Sequence, residues 1–174
     1  MLTIVADPPW RFGDNLPGPT RGAARNYPTM TPQEIIEYMI PYCQGPNVRL
    51  FLWRVASMVE EAYQIVRALG LVPKTEIVWL KRTPAGKEWF GMGRTVRASH
   101  EVCIIAQRGQ PGVLSHSIRS TFAAPVVRHS QKPEAFFDLV EQLSPGPYVE
   151  LFPRDHARPG WARIEWANMD GGGA

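Results

Sequence analysis

Cysteine and lysine are scarce in this chain, and long apolar runs are missing altogether. Two cysteines, Cys43 and Cys103, are too few and too plainly spaced for a disulfide framework or a metal site. A reducing, cytoplasmic setting is therefore the default expectation, with no metal. No stretch approaches the roughly 20 apolar residues of a membrane-spanning helix, so no membrane partner is expected. The apolar start Leu2–Ala6 is broken by Asp7 and lacks a basic leader, unlike a signal peptide. No Gly-x-Gly-x-x-Gly follows a strand, which removes the fingerprint of a dinucleotide-binding dehydrogenase.

What is present argues for a packed globule. Of the 174 residues, 44% are hydrophobic and six are Trp, enough for one domain spanning 1–174 with a substantial core. The net charge is only +3, but of 19 basic residues just four are Lys, leaving 15 Arg. Their placement matters more than their sum. No Asp or Glu lies between Glu101 and Glu134, whereas Arg108, Arg119, Arg128 and Lys132 do. Asn15 to Gln33 likewise holds Arg21 and Arg25 without an acid. Unopposed arginine in loops suits a polyanion such as nucleic acid.

Leu2–Ala6 reads as a short buried strand, followed by a long irregular segment over 11–30. Thr31-Pro32-Gln33-Glu34 is a capping box that opens a helix toward Ile40. Val48–Trp53 reads as a strand, residues 56–69 as a helix closed by Gly70, and 76–80 and 102–106 as further strands. A helix over 133–143 and a strand over 148–152 complete the pattern. The alternation predicts an α/β, Rossmann-like fold: a mostly parallel sheet with helices on both faces. The loops 11–30, 83–100 and 107–131 are expected at the substrate side, and 171–174 as a flexible tail.

Asp7-Pro8-Pro9-Trp10 stands at the carboxyl end of the first strand, where open α/β sheets place their chemistry. These residue types suit activation of an aromatic exocyclic amine, whose lone pair is delocalised into its ring. Asp7 can accept one N–H and the Pro8 carbonyl the other, while Pro8 and Pro9 hold the acceptors in place. Trp10 offers a face for a stacked base, at roughly 1–3 kcal/mol. The plainer reading is a strand end followed by a proline turn.

The rest of the chain decides between them. Tyr27-Pro-Thr-Met30, Leu50-Phe-Leu-Trp53, Ile77-Val-Trp-Leu-Lys81, Gly93-Arg94-Thr95, His100-Glu101-Val-Cys103, His129-Ser-Gln-Lys132-Pro-Glu134 and Glu150-Leu-Phe-Pro-Arg154-Asp-His156 occur in that order. Together with Asp7–Trp10 the series resembles the Asp-Pro-Pro-Trp (MT-A type) N(6)-adenine methyltransferases, and it covers about residue 2 to 170. That family includes the catalytic subunit of the messenger-RNA N(6)-adenosine methyltransferase. The resemblance implies a permuted methyltransferase domain, with the catalytic strand first and the S-adenosyl-L-methionine half last.

By the same resemblance Asp7 is the catalytic acceptor, also close to the methionine amino group of the cofactor. Lys132, at a helix entrance, would hold the methionine carboxylate, as anions favour helix N-termini. Phe152, Arg154, His156 and Asn168 would contact the rest of the cofactor, and Glu150 would orient its amino group or brace Arg154. Tyr27 is a candidate wall of the adenine pocket, and Arg94 and Glu101 candidate substrate contacts. The plainer roles are a solvated capping lysine for Lys132, a salt-bridge partner for Glu150 and a surface turn for His156. One departure stands out: Phe152–His156 replaces the Phe-x-Gly-x-Gly cofactor loop of many DNA methyltransferases.

The expected activity is methylation of the 6-amino group of adenine in nucleic acid. DNA is expected over RNA, because a short chain without a separate recognition domain resembles bacterial and phage members. Two alternatives remain open: a cytosine N(4) methyltransferase, separated by nucleoside analysis, and a non-catalytic nucleic-acid-binding subunit, separated by cofactor binding. Monomer, homodimer and complex with a partner subunit are all open.

Overall fold

A computed structural model describes residues 1–11, 29–93, 95–128, 131–154 and 157–166. The described elements run β1 (Leu2–Ala6), α1 (Pro32–Met39), β2 (Val48–Arg54), α2 (Val59–Ala68), β3 (Val72–Arg82), β4 (His100–Arg108), β5 (Thr121–Pro125), α3 (Glu134–Leu143), β6 (Tyr148–Leu151) and β7 (Trp161–Ile164). All the strands join one sheet in the order β5-β3-β4-β2-β1-β6-β7, which puts β1 inside, parallel to both neighbours.

The two-residue repeat of the strands sorts the core onto two faces. Ile4 and Ala6, Leu50 and Leu52, and Ile104 and Ala106 pack with Ile35 and Met39 of α1 and Ala62, Ile65 and Val66 of α2. The alternate residues Val5, Phe51, Trp53, Cys103 and Ile105, with Ile77 and Trp79 of β3, pack with Phe136, Phe137, Leu139 and Val140 of α3. Helices thus cover both faces, as the sequence pattern predicts. The capping box forms as read: the Thr31 hydroxyl accepts from the Glu34 N–H, and the Glu34 carboxylate from the Thr31 N–H.

Three features go beyond the sequence reading. First, β4 runs antiparallel to both β2 and β3 within an otherwise parallel sheet. The physical reason is the connection: the described residues of 83–99 carry no crossover helix, and a parallel return requires one. Second, the stretch 107–131 holds a strand, β5, and another strand, β7, follows the last one read from the sequence. β5 is a short edge strand ending at Pro125, without a clean apolar alternation. β7 is fastened to α3 by Arg158, which bridges Glu134, Asp138 and Glu141 on one side of that helix.

Third, segment 107–131 does not lie wholly on the substrate side. It leaves β4 at the far end of the sheet, where Arg108 pairs with Val48 at the start of β2. There the buried Arg49 donates to the carbonyls of Pro111 and Gly112 and to Ser144 Oγ. Only the part after β5 reaches the carboxyl end of β3, through the bond from the Val126 N–H to the Arg82 carbonyl.

Arg108 closes the C-terminal ends on this side, donating to the carbonyls of Cys43, Leu69 and Gly70 at 2.7, 2.8 and 3.2 Å. Arg108→Ala leaves these carbonyls to water alone. We expect a loss of about 2 kcal/mol, a Tm drop of roughly 4–8 °C, with no change in cofactor affinity. Thermal denaturation and calorimetry together check this; unchanged stability would count against it.

Candidate active site

The strand ends on the α3 face carry charge where the core pattern stops. Two residues beyond buried Val5 stands Asp7, two beyond buried Trp79 stands Lys81, and two before buried Cys103 stands Glu101. Because β4 is antiparallel, Glu101 comes to the same sheet end as Asp7 and Lys81, opposite Trp79 in register. Lys132, entering just ahead of α3, sets its ammonium between the two carboxylates, 2.8 Å from Asp7 Oδ2 and 3.2 Å from Glu101 Oε2. Lys81 Nζ closes the row 2.6 Å from Glu101 Oε1. Lys132 lies 5.2 Å from the ring centre of Trp53, and Lys81 the same distance from that of Trp79. The result is an alternating acid–base row on an aromatic floor.

Burial opposes the Lys132 charge, but Asp7 and Glu101 outweigh it and hold the ammonium above the ordinary lysine value. Burial likewise pushes Glu101 up, yet Lys132 and Lys81 prevail and keep it below the ordinary carboxylate value. The sign of the linkage follows. A depressed Glu101 contributes stability above pH 4.5 and loses it as pH falls through its lowered value. An elevated Lys132 contributes below pH 10.5 and loses it only at higher pH. The stability gap between the native chain and Glu101→Gln should therefore be flat from about pH 5 to 10 and shrink in acid. Urea unfolding across pH measures it; a step near neutrality would contradict the row.

Arg154 approaches Asp7 from β6, with Nε 3.7 Å from Oδ2 and an Nη 3.4 Å from the Asp7 carbonyl. A small cleft opens among Asp7, Lys132, Glu150, Phe152 and Arg154, walled by Val5, Trp53 and Phe137. Phe152 adopts φ 59°, an uncommon conformation for a residue with a side chain, and stays buried against Tyr38 at 4.5 Å between ring centres. That turn aims Arg154 back at Asp7. Glu150 pairs with Arg163 of β7 at 3.4 Å, which gives it a salt-bridge role at the cleft floor.

The backbone of the tetrapeptide is pinned. The Pro8 carbonyl accepts the Trp10 N–H at 2.9 Å in a tight turn, leaving one lone pair for a ligand. The Pro9 carbonyl accepts the Met30 N–H at 2.7 Å. Trp10 departs from expectation. Its ring is 4% exposed within the α1–α2 core, and its N–H donates to the Trp53 carbonyl at 3.1 Å. A buried indole needs a partner for its N–H, and this one locks β1 to β2 rather than presenting an open stacking face.

The structure therefore brings Asp7, Lys132, Glu101, Glu150, Phe152 and Arg154 together. Tyr27, Arg94, His156 and Asn168, with the tail 171–174, lie outside the described residues. Lys81 and Trp53 belong to the site although sequence reading assigned them no role. Their signal was positional, a charge and an aromatic at strand ends in phase with the α3 face. Among the described residues no cluster of three or more His, Cys, Asp or Glu could hold a metal, and no helix is long and apolar enough to cross a membrane.

The cleft gathers groups whose chemistry suits the amino-acid end of a ligand. It offers cations for a carboxylate, an acid for an ammonium, and an indole N–H of Trp53 that is buried with no partner.

The MT-A70 family model matches residues 2–165. The chain is 29% identical over 172 residues to the human N(6)-adenosine-methyltransferase catalytic subunit METTL3, covering 92% of this chain and 27% of that protein. It is 28% identical over 172 residues to the Drosophila melanogaster N(6)-adenosine-methyltransferase MT-A70-like protein, covering 92% and 26%. It is 29% identical over 166 residues to the Arabidopsis thaliana N(6)-adenosine-methyltransferase MT-A70-like, covering 92% and 23%. The chain thus spans about a quarter of the length of these curated relatives. With nearly its whole length matched and the acid at the end of β1 in place, the chain belongs to the MT-A70 family.

Proposed function

We propose that this chain transfers a methyl group from S-adenosylmethionine to the 6-amino group of adenine in a nucleic acid. The observation that carries the reading is the Asp7 carboxylate at the end of an interior strand, facing a cleft with Lys132 and Arg154. The names of the relatives, N(6)-adenosine methyltransferases, support the same reaction class. S-adenosylmethionine supplies an electrophilic methyl on a sulfonium.

The chain supplies position and electrostatics. Lys132 holds the carboxylate of the donor's amino-acid end, and Arg154 braces Asp7 and the backbone beneath it. Asp7 and the second lone pair of the Pro8 carbonyl take the two amine hydrogens, turning the nitrogen lone pair toward the methyl. A bound donor would offer its methyl to that lone pair, and the extra amine proton would pass to solvent. Asp7 is thus an acceptor and need not be a strong base. The target base must be unstacked, so a single strand or an extruded base is the substrate form.

DNA remains the proposed polymer on the sequence reading, while the relatives are named for adenosine. Methyl transfer from labelled donor onto single- and double-stranded DNA and RNA, followed by nucleoside identification, tests both parts. N(6)-methyladenine is the expected product. N(4)-methylcytosine would change the base, and transfer to none of the four polymers would reject the reading.

A further inference from the structure

The carboxylate that must grip the base is already engaged. Asp7 Oδ2 lies 2.8 Å from the Lys132 ammonium, so Lys132 competes with any amine for it. The row beside it offers a way out. Glu101 stands on the far side of the same ammonium at 3.2 Å, and Lys81 holds Glu101 in place at 2.6 Å. Lys132 can therefore leave Asp7 without becoming a buried unpaired charge, which would be costly. The side chains of Lys132, Lys81 and Glu101 are 11%, 18% and 28% exposed, enclosed enough for pairing to matter.

We propose that Glu101, anchored by Lys81, is a positioning residue that takes up Lys132 when the amino-acid end of the donor enters, so that donor binding releases Asp7 for the base. This rests on the reaction assigned above and adds an order to it: the donor raises affinity for an adenine amine, and the amine raises affinity for the donor by the same factor. Glu101 and Lys81 act through Lys132, without contact to the reacting atoms. No bond is made or broken in the exchange; one ammonium changes its carboxylate partners.

The test measures binding of a labelled single-stranded oligonucleotide containing one adenine to the full chain, by fluorescence anisotropy. It is run alone, with saturating S-adenosylhomocysteine, and with saturating 5′-methylthioadenosine. The first ligand carries the amino-acid end and lacks the reactive methyl; the second lacks the amino-acid end. S-adenosylhomocysteine should tighten oligonucleotide binding by about tenfold, within the usual range for two coupled ligands, and methylthioadenosine by less than about twofold. An oligonucleotide with unsubstituted purine in place of adenine has no amine and should show no donor effect. Glu101→Gln and Lys81→Met should each cut the coupling below about threefold, and Lys81→Arg should restore it.

Equal tightening by both ligands, no tightening by S-adenosylhomocysteine, or undiminished coupling in Lys81→Met would overturn the proposal. Should Lys81→Met fail to fold, undiminished coupling in Glu101→Gln overturns the proposal in its place. Nucleoside analysis on the same preparation separates the two levels. A chain that methylates adenine without coupling sinks this inference alone, whereas one that neither binds S-adenosylhomocysteine nor transfers methyl sinks the reaction as well.

Discussion

Asp7→Ala should lower methyl transfer by at least about 10³-fold while the chain still folds and still binds S-adenosylhomocysteine. Removal of the carboxylate takes away the acceptor that turns the amine lone pair toward the donor. Little else is lost. Lys132 keeps Glu101 at 3.2 Å, and Arg154 keeps its bond to the Asp7 carbonyl, which the substitution leaves in place. Asp7→Asn is the sharper version, because it preserves volume and one oxygen acceptor. Its neutral amide still loses the ionic attraction to the amine, so a fall of about 10²-fold is expected. Turnover within a few-fold of the native chain in Asp7→Ala would remove the basis for the reaction proposed here. The Asp7–Lys132 pair is no objection in itself, since both partners line one cleft with Arg154.

Lys132→Met should have the largest effect on stability. It leaves the Asp7 and Glu101 carboxylates facing each other around an apolar side chain, with Arg154 and Lys81 at the outer ends. Breaking an enclosed ion pair from one side costs about 3 kcal/mol at the lower end of the usual range, and the lower end applies because the row is partly open to solvent. The expected Tm drop near neutral pH is roughly 6–12 °C. Its pH dependence identifies the cause. Without the ammonium Glu101 loses the strongest cation that holds its carboxyl low, so protonation relieves the repulsion and the deficit should shrink toward pH 4. Lys132→Arg keeps the charge and should recover most of the loss. Denaturant unfolding at neutral and acid pH measures all three, and a deficit independent of pH would show that packing rather than charge was lost. S-adenosylhomocysteine affinity should fall in Lys132→Met by about 10- to 100-fold, the worth of one charge-assisted contact of roughly 1.5–3 kcal/mol.

Near neighbours in the chain were enough for much of this molecule. The Thr31–Glu34 capping box is decided within four residues, Gly70 ends α2 with φ 71°, and each β-strand of the core shows its two faces in its own alternation. Asp7 at the end of β1 is readable for the same reason, as an acid directly after four buried residues. Features that depend on which strands become neighbours were not readable. Glu101 and Lys132 are 31 positions apart in sequence, and Asp7 and Lys132 are 125 apart. Nothing local says that an ammonium will sit between those two acids. That arrangement follows from β4 running antiparallel, which delivers the start of one strand to the ends of the others.

Burial of Trp10 is of the same kind. A tryptophan after two prolines suits a stacking surface or a core anchor equally, and the carbonyl that claims its N–H belongs to Trp53, 43 positions away. β7 pairs in parallel with β6, and Arg158 just ahead of it binds α3; neither contact is announced by the four residues of the strand. Composition and periodicity act over a few residues, so they specify elements, caps and the acid that ends the first strand. Charge pairing and closure of the cleft act across the sheet, and they exist only once the strands have taken their order and direction.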